Sequence, residues 1–75
     1  MNDKRRKKLA ETQRMLQYTL DTIERILDEE RDALTGIPEN MSERVERCES
    51  TISDLEGAKS SLEEAMGQLE SAADR

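Results

Sequence analysis

One thiol and 18 carboxylates are the side chains of this 75-residue chain best suited to catalysis or metal binding, because histidine is absent. Histidine is the commonest general acid–base and the usual partner of a reactive cysteine. Cys48 lies between Val45 and Ile52 in an apolar repeat, which predicts a buried and inert thiol. The runs Asp28-Glu29-Glu30 and Glu63-Glu64 lack the Glu-x-x-His pairs of di-iron bundles, so we interpret them as solvated faces. We expect no catalytic site, no metal site and no cofactor.

The composition predicts long helices that need a partner. Charged residues make up 40% of the chain and hydrophobic residues 33%, and the hydrophobic residues recur with a helical period. A domain this small has a marginal core, and a single cysteine cannot form an intramolecular disulfide. Oligomerisation is the remaining source of stability.

No apolar run approaches the roughly 18 residues of a membrane span, and the basic N-terminus has no apolar stretch after it. With a free thiol, these features predict a cytoplasmic protein that does not bind membranes.

The only break in the helical pattern is the segment 36–40. Gly36 is suited to a left-handed residue at the end of a helix, and Pro38 can open the next one. Asn40 and Glu43 match a capping-box pattern. We therefore predict one domain, residues 1–75, with helix 1 at about 3–35, a loop at 36–38 and helix 2 at about 39–73.

Each predicted helix carries a seven-residue apolar repeat, lettered a to g. In helix 1 the d positions are Leu9, Leu16, Ile23, Glu30 and Ile37, and the a positions are Gln13, Leu20, Leu27 and Leu34. In helix 2 the d positions are Met41, Cys48, Leu55, Leu62 and Leu69, and the a positions are Val45, Ile52, Lys59, Met66 and Ala73. When the chain is folded back at the loop, Leu9 lies opposite Leu69 and Ile23 lies opposite Leu55. The apolar repeats of the two helices are therefore in register. This predicts an all-α fold, an antiparallel two-helix coiled-coil hairpin.

The positions beside this seam differ in character. The g flank is small and apolar, which predicts docking of a second copy to form a four-helix bundle; its predicted interface residues are Thr19, Ile26, Ala33, Ala58, Ala65 and Ala72. Alternatively, the alanines are merely good helix formers at solvated positions. The e positions of helix 2 form a row, here called the acidic ladder: Glu49, Glu56, Glu63 and Glu70.

Several polar features have two interpretations. Gln13, Glu30 and Lys59 either specify the register of the seam or extend out of it. The basic segment Lys4–Lys8 either contacts an acidic partner or neutralises the acidic end of helix 2, near Glu63, Glu64, Glu70 and Asp74. We favour neutralisation, because no aromatic residues are interleaved for base stacking.

Two outward surfaces could receive an unidentified protein partner: Met15 and Tyr18 on helix 1, with Tyr as an anchor, and a face of small uncharged residues on helix 2. The candidate residues on helix 2 are Ser53, Gly57, Ser60 and Gly67. They could equally be ordinary surface residues.

The turn Ile37-Pro38-Glu39-Asn40-Met41, followed by Ser42-Glu43-Arg44 and by repeats of Leu-Glu-x-Ala, carries a family resemblance. The chain resembles short acidic helical-hairpin proteins of Gram-positive bacterial, phage and prophage genomes. The resemblance implies a mobile-element origin and no catalytic activity.

Two function classes follow. The first is a homo-oligomeric adaptor or structural module that binds protein. The second is a phage-type inhibitor whose acidic surface mimics nucleic acid. Residues 9–75 carry 7 basic and 17 acidic groups, so direct nucleic-acid binding is disfavoured.

Overall fold

The computed structural model describes all residues, 1–75, and contains two helices and no strand. Helix α1 spans Asp3–Thr35 and helix α2 spans Ser42–Ala73, joined by residues 36–41. The predicted all-α helical hairpin is confirmed. Neither α1 nor α2 includes a segment that could span a bilayer.

Helix α1 begins at a side-chain cap that we did not predict. The Asn2 side chain accepts a hydrogen bond from the backbone N–H of Arg5 at 2.9 Å. Asparagine is among the preferred N-cap residues, because its short side chain satisfies an otherwise unpaired N–H of the first turn.

The end of α1 differs from the prediction at Gly36, which is right-handed, with φ −88° and ψ −6°. The N–H groups of Gly36 and Ile37 donate to the carbonyls of Ala33 and Leu34, at 3.1 and 3.2 Å. These bonds reach back three residues and tighten the last turn, which satisfies the terminal carbonyls without a left-handed residue. Pro38 then stops the helix, because it has no N–H to donate.

The predicted capping box at Asn40 and Glu43 is wrong. The N–H of Met41 donates to the carbonyl of Pro38 at 3.0 Å, which closes a turn over residues 38–41. Met41 is therefore the N-cap of α2, its side chain makes no capping bond, and Asn40 lies one residue too early. The second helix starts at Ser42 rather than near residue 39. Met41 also remains exposed, although its heptad position predicts a seam residue.

The core of the hairpin is small and lies along the predicted seam. Only Leu20, Leu27, Cys48 and Ile52 are buried, and Leu27 is the most enclosed, with 1% exposure. Leu34, Ile37 and Leu55 are partly buried and pack against the cluster of Leu27, Cys48 and Ile52. Between the helices, Glu24 contacts Lys59, and Glu30, later in α1, contacts Cys48, earlier in α2.

Candidate protein interface

Cys48 occupies the seam and is held in its thiol form. Its Sγ–H donates to the backbone oxygen of Glu30 at 3.5 Å and to the Oε2 of the same residue at 3.7 Å. Burial raises the pKa of the Cys48 thiol above its ordinary value of 9.0, and the negative charges of Glu30 and Glu49 raise it further. Because the thiolate is the nucleophile, this environment disfavours nucleophilic chemistry at Cys48.

The polar residues of the seam differ in their surroundings. The Lys59 Nζ leaves the seam and meets Glu24 Oε1 at 3.6 Å, with 33% of the Lys59 side chain exposed. Gln13 and Glu30 are each half-buried. The side chain of Lys59 is therefore mostly covered, while its ammonium group pairs with Glu24.

The g flank is partly open to solvent. Ile26 is 42% exposed, although it is apolar and its helix α1 packs against α2. Thr19, Ala33 and Ala58 are exposed, whereas Ala65 and Ala72 are half-buried. An apolar strip therefore remains along one side of the hairpin.

Two arginines that the sequence analysis missed frame the loop end of this flank. A groove is lined by Glu30, Ala33, Ile37, Arg44, Arg47 and Cys48. The heptad letters contained the signal, because Arg44 occupies the same g position as Thr51 and Ala58. The loop end of the apolar strip thus carries two arginines on its α2 side, beside Glu30 of α1.

The acidic ladder is exposed along its whole length, at Glu49, Glu56, Glu63 and Glu70. Only Glu56 forms an ion pair, with Arg31 at 3.4 Å. Glu63 and Glu70 line one open groove together with Leu20 and Met66. Glu49 lines another, nearer the loop. The ladder therefore presents three carboxylates that have no ion-pair partner within 4.0 Å.

Both outward surfaces are exposed at every predicted position. Met15 is 64% exposed and Tyr18 is 70% exposed, and both lie on α1. Ser53, Gly57, Ser60 and Gly67 are exposed on α2. A Cβ atom added at Gly57 or Gly67 would meet nothing within 4 Å, so the hairpin itself does not require glycine at either position.

The basic segment does not pair with the acidic end of α2. Every residue from Lys4 to Lys8 is exposed. None of the three ion pairs within 4.0 Å includes this segment. No ion pair within 4.0 Å joins this segment to Glu63, Glu64, Glu70 or Asp74, so the expected neutralisation stays a prediction.

Comparison with known proteins gives no match, whether to a family model, to a curated protein or to a solved structure. The interpretation of these surfaces therefore depends on their own chemistry.

Proposed function

We propose that this chain is a non-catalytic protein–protein interaction module, an antiparallel coiled-coil hairpin that self-associates through its g flank. The observation that carries the proposal is the thin core beside an exposed apolar strip. Four residues are buried, while Ile26 on the g flank remains 42% exposed. A second copy on this flank would give a homodimeric four-helix bundle and add the layer that two helices lack.

The dimensions of the hairpin suit such an interface. The molecule measures 59 × 15 × 12 Å. One long side, 59 Å by 12 Å, offers about 700 Å² per copy, close to the ~800 Å² per partner of a standard interface. Small residues such as Ala58 and Ala65 let two helices approach closely, and Ile26 supplies an apolar side chain to bury.

The absence of catalysis is part of the proposal. Cys48 is the only thiol of the chain. It donates a hydrogen bond to Glu30, and its pKa is raised. A thiol in this state is a poor nucleophile. We further propose that the protein acts in the cytoplasm as an adaptor or structural component, with the mobile-element origin implied by the resemblance of its turn. Its outward Met15–Tyr18 surface would receive the protein partner.

Light scattering over a range of concentrations tests self-association. We expect about twice the 8.6 kDa chain mass at micromolar concentration. The substitution Ile26→Glu should return the protein to the chain mass, because it places a charge in the interface. Ile26 is not part of the buried core, so circular dichroism should show an intact helical hairpin. Ser50→Glu, at an exposed position away from the g flank, is the matched control. A wild-type mass of 8.6 kDa at high concentration would refute the proposal.

The acidic ladder supports a second candidate function, that of a nucleic-acid mimic. Glu49, Glu63 and Glu70 are exposed and have no ion-pair partner. Carboxylates one heptad apart recur at about 10.5 Å along one side of a helix. Such a row could occupy the basic groove of a host defence or nucleic-acid-binding protein.

A pull-down from cell extract, with and without nuclease treatment, separates the two candidates. Mimicry requires a captured partner that nuclease treatment does not release and that DNA displaces by competition. Substituting Glu49, Glu63 and Glu70 by Gln should abolish that capture. Capture that is insensitive both to this change and to added DNA favours the adaptor function.

A further inference from the structure

We propose that the second copy docks on the g flank head to tail, with the loop of each hairpin beside the chain termini of the other. The basic segment Lys4–Lys8 of each copy then lies beside the acidic segment Asp28–Asp32 of the other. This inference rests on the proposed self-association and specifies its geometry. It also assigns a role to the basic segment, which makes no ion pair within 4.0 Å in its own hairpin. The occupant of the apolar strip is thus a second copy, oriented by charge.

The basic segment is available for this contact. Its five residues are exposed and make no ion pair. The acidic segment is Asp28, Glu29, Glu30, Arg31 and Asp32, and its single cation, Arg31, already contacts Asp28 and Glu56. The two segments therefore carry opposite net charges of +5 and −3 at opposite ends of α1.

The charges of α1 also oppose its own dipole. A helix favours acidic residues at its N-terminus and basic residues at its C-terminus. Here the first turn holds Lys4, Arg5 and Arg6 with only Asp3 as an acidic residue, and the last turn holds no basic residue. An isolated α1 gains nothing from this arrangement. Antiparallel packing of α1 against the α1 of a second copy turns both unfavourable ends into attraction.

The register of the g flank permits full overlap. Residue 19 is the midpoint of α1, and residue 58 lies at the middle of α2; both Thr19 and Ala58 are g positions. A two-fold axis between them would keep g opposite g along the whole length. In that arrangement Thr12 of one copy lies level with Ile26 of the other, and Lys8 lies level with Glu30.

The head-to-head alternative has a less favourable charge distribution. Residues 25–50, which surround the loop, contain four basic and eight acidic side chains. Head-to-head docking would bring two such acidic ends together and would place both basic segments at the other end. Like charges brought together at an interface disfavour that arrangement.

Spin labels in the loop distinguish the two orientations. The variant Cys48→Ser with Asn40→Cys carries one label at an exposed turn residue. Head-to-tail docking predicts a distance between the two labels close to the 59 Å length of the hairpin. Head-to-head docking predicts under about 25 Å, because neighbouring helices lie 8–10 Å apart. A short distance in a protein of dimeric mass would overturn the orientation and leave self-association standing. A monomeric mass would overturn both.

Charge exchange provides a second test that keeps the native Cys48. Lys4→Glu, Arg5→Glu and Lys8→Glu together should weaken the dimer about tenfold, as should Asp28→Lys, Glu29→Lys and Asp32→Lys together. Combining all six changes in one chain keeps the net charge at −6 and should restore wild-type affinity. Sedimentation equilibrium measures the three dissociation constants. Failure of the six-fold variant to recover, with helicity intact by circular dichroism, would overturn the proposal.

Discussion

The two halves of the hairpin are built from the same heptad repeat but reach different degrees of burial. The loop half, residues 20–55, contains all four buried residues. In the open half, residues 1–19 and 56–75, the seam residues Leu9, Leu16, Leu62 and Leu69 are only half-buried. The repeat alone therefore does not determine the quality of the core.

The connecting segment explains the difference. Ile37 lies outside both helices and packs against the cluster of Leu27, Cys48 and Ile52, which gives the loop half a cover that a helix pair lacks. The open half has no such segment. In addition, the polar residues Gln13 and Lys59 occupy a positions of its seam. The comparison shows that a connecting segment adds cover near the loop, whereas Leu20 is buried outside the cluster that this segment covers.

The largest effect should come from removing a core side chain in the loop half. Leu27→Ala should lower the free energy of unfolding by about 2–5 kcal/mol, a large part of the stability of a small domain. Leu16→Ala, in the open half, should cost about 1–2 kcal/mol, because less apolar area is lost. Urea unfolding followed by circular dichroism measures both. Equal losses would mean that the halves are equally packed in solution.

The rate at which Cys48 reacts with a thiol reagent measures how tightly the loop half is packed. We expect the folded thiol to react with a disulfide reagent at least about tenfold more slowly than the urea-unfolded chain, because labelling requires the hairpin to open. The folded pKa is raised above 9.0, so the labelling rate of the folded protein should still climb at pH values where that of the unfolded chain has levelled off.

The raised pKa of Cys48 also determines how the stability of the hairpin changes with pH. A thiol with a raised folded pKa stabilises the hairpin below pH 9.0, and that contribution is lost as the pH rises through the folded value. Rapid labelling of the native protein at neutral pH would contradict this placement of Cys48.

Glycine substitutions on the outward surface of α2 should strengthen the helix in the open half. Gly57→Ala and Gly67→Ala should each raise the free energy of unfolding by about 0.5–1 kcal/mol, because neither added Cβ meets an atom within 4 Å. Thermal unfolding measures the gain, and Ser60→Ala is a control with a smaller expected change. A loss of stability would show that something packs on this surface in solution, which would support its use as an interface.

The smallest expected effect is that of salt on the acidic ladder. Like charges along one helix side repel by a few tenths of a kcal/mol per pair, and salt screens them. Because only Glu56 of the ladder has a cationic partner, we expect the melting temperature to rise between low and moderate salt. The variant in which Glu63 and Glu70 are both replaced by Gln should show a smaller rise. A falling melting temperature in the wild type would mean that attractive pairs outweigh the repulsion.

The long elements of the fold were predictable because each heptad position is repeated several times. The heptad pattern assigns Leu20, Leu27, Cys48 and Ile52 to the seam, since a pattern spanning more than 30 residues averages over local exceptions. The caps were not predictable in the same way. Gly36 and Asn40 each compete with neighbouring residues for the same few hydrogen bonds, and small differences in backbone geometry decide which of them form.

The candidate surfaces were predictable in position but not in detail. Heptad letters located the g flank and the acidic ladder, because side-chain direction follows from helical periodicity. They did not reveal that Glu30 accepts a hydrogen bond from Cys48 or that Lys59 reaches Glu24, because such contacts depend on rotamers.

The elongated form of the hairpin affects how its mass must be measured. A compact chain of 75 residues has a radius of gyration of about 11 Å, whereas this one has 17.2 Å. A rod of this kind experiences extra friction, so even the single chain will elute from a sizing column ahead of a sphere of equal mass. Its overall tumbling will also be slower about its short axes than about its long axis. NMR relaxation along the two helices will report this anisotropy and can be mistaken for association if the rod is treated as a sphere.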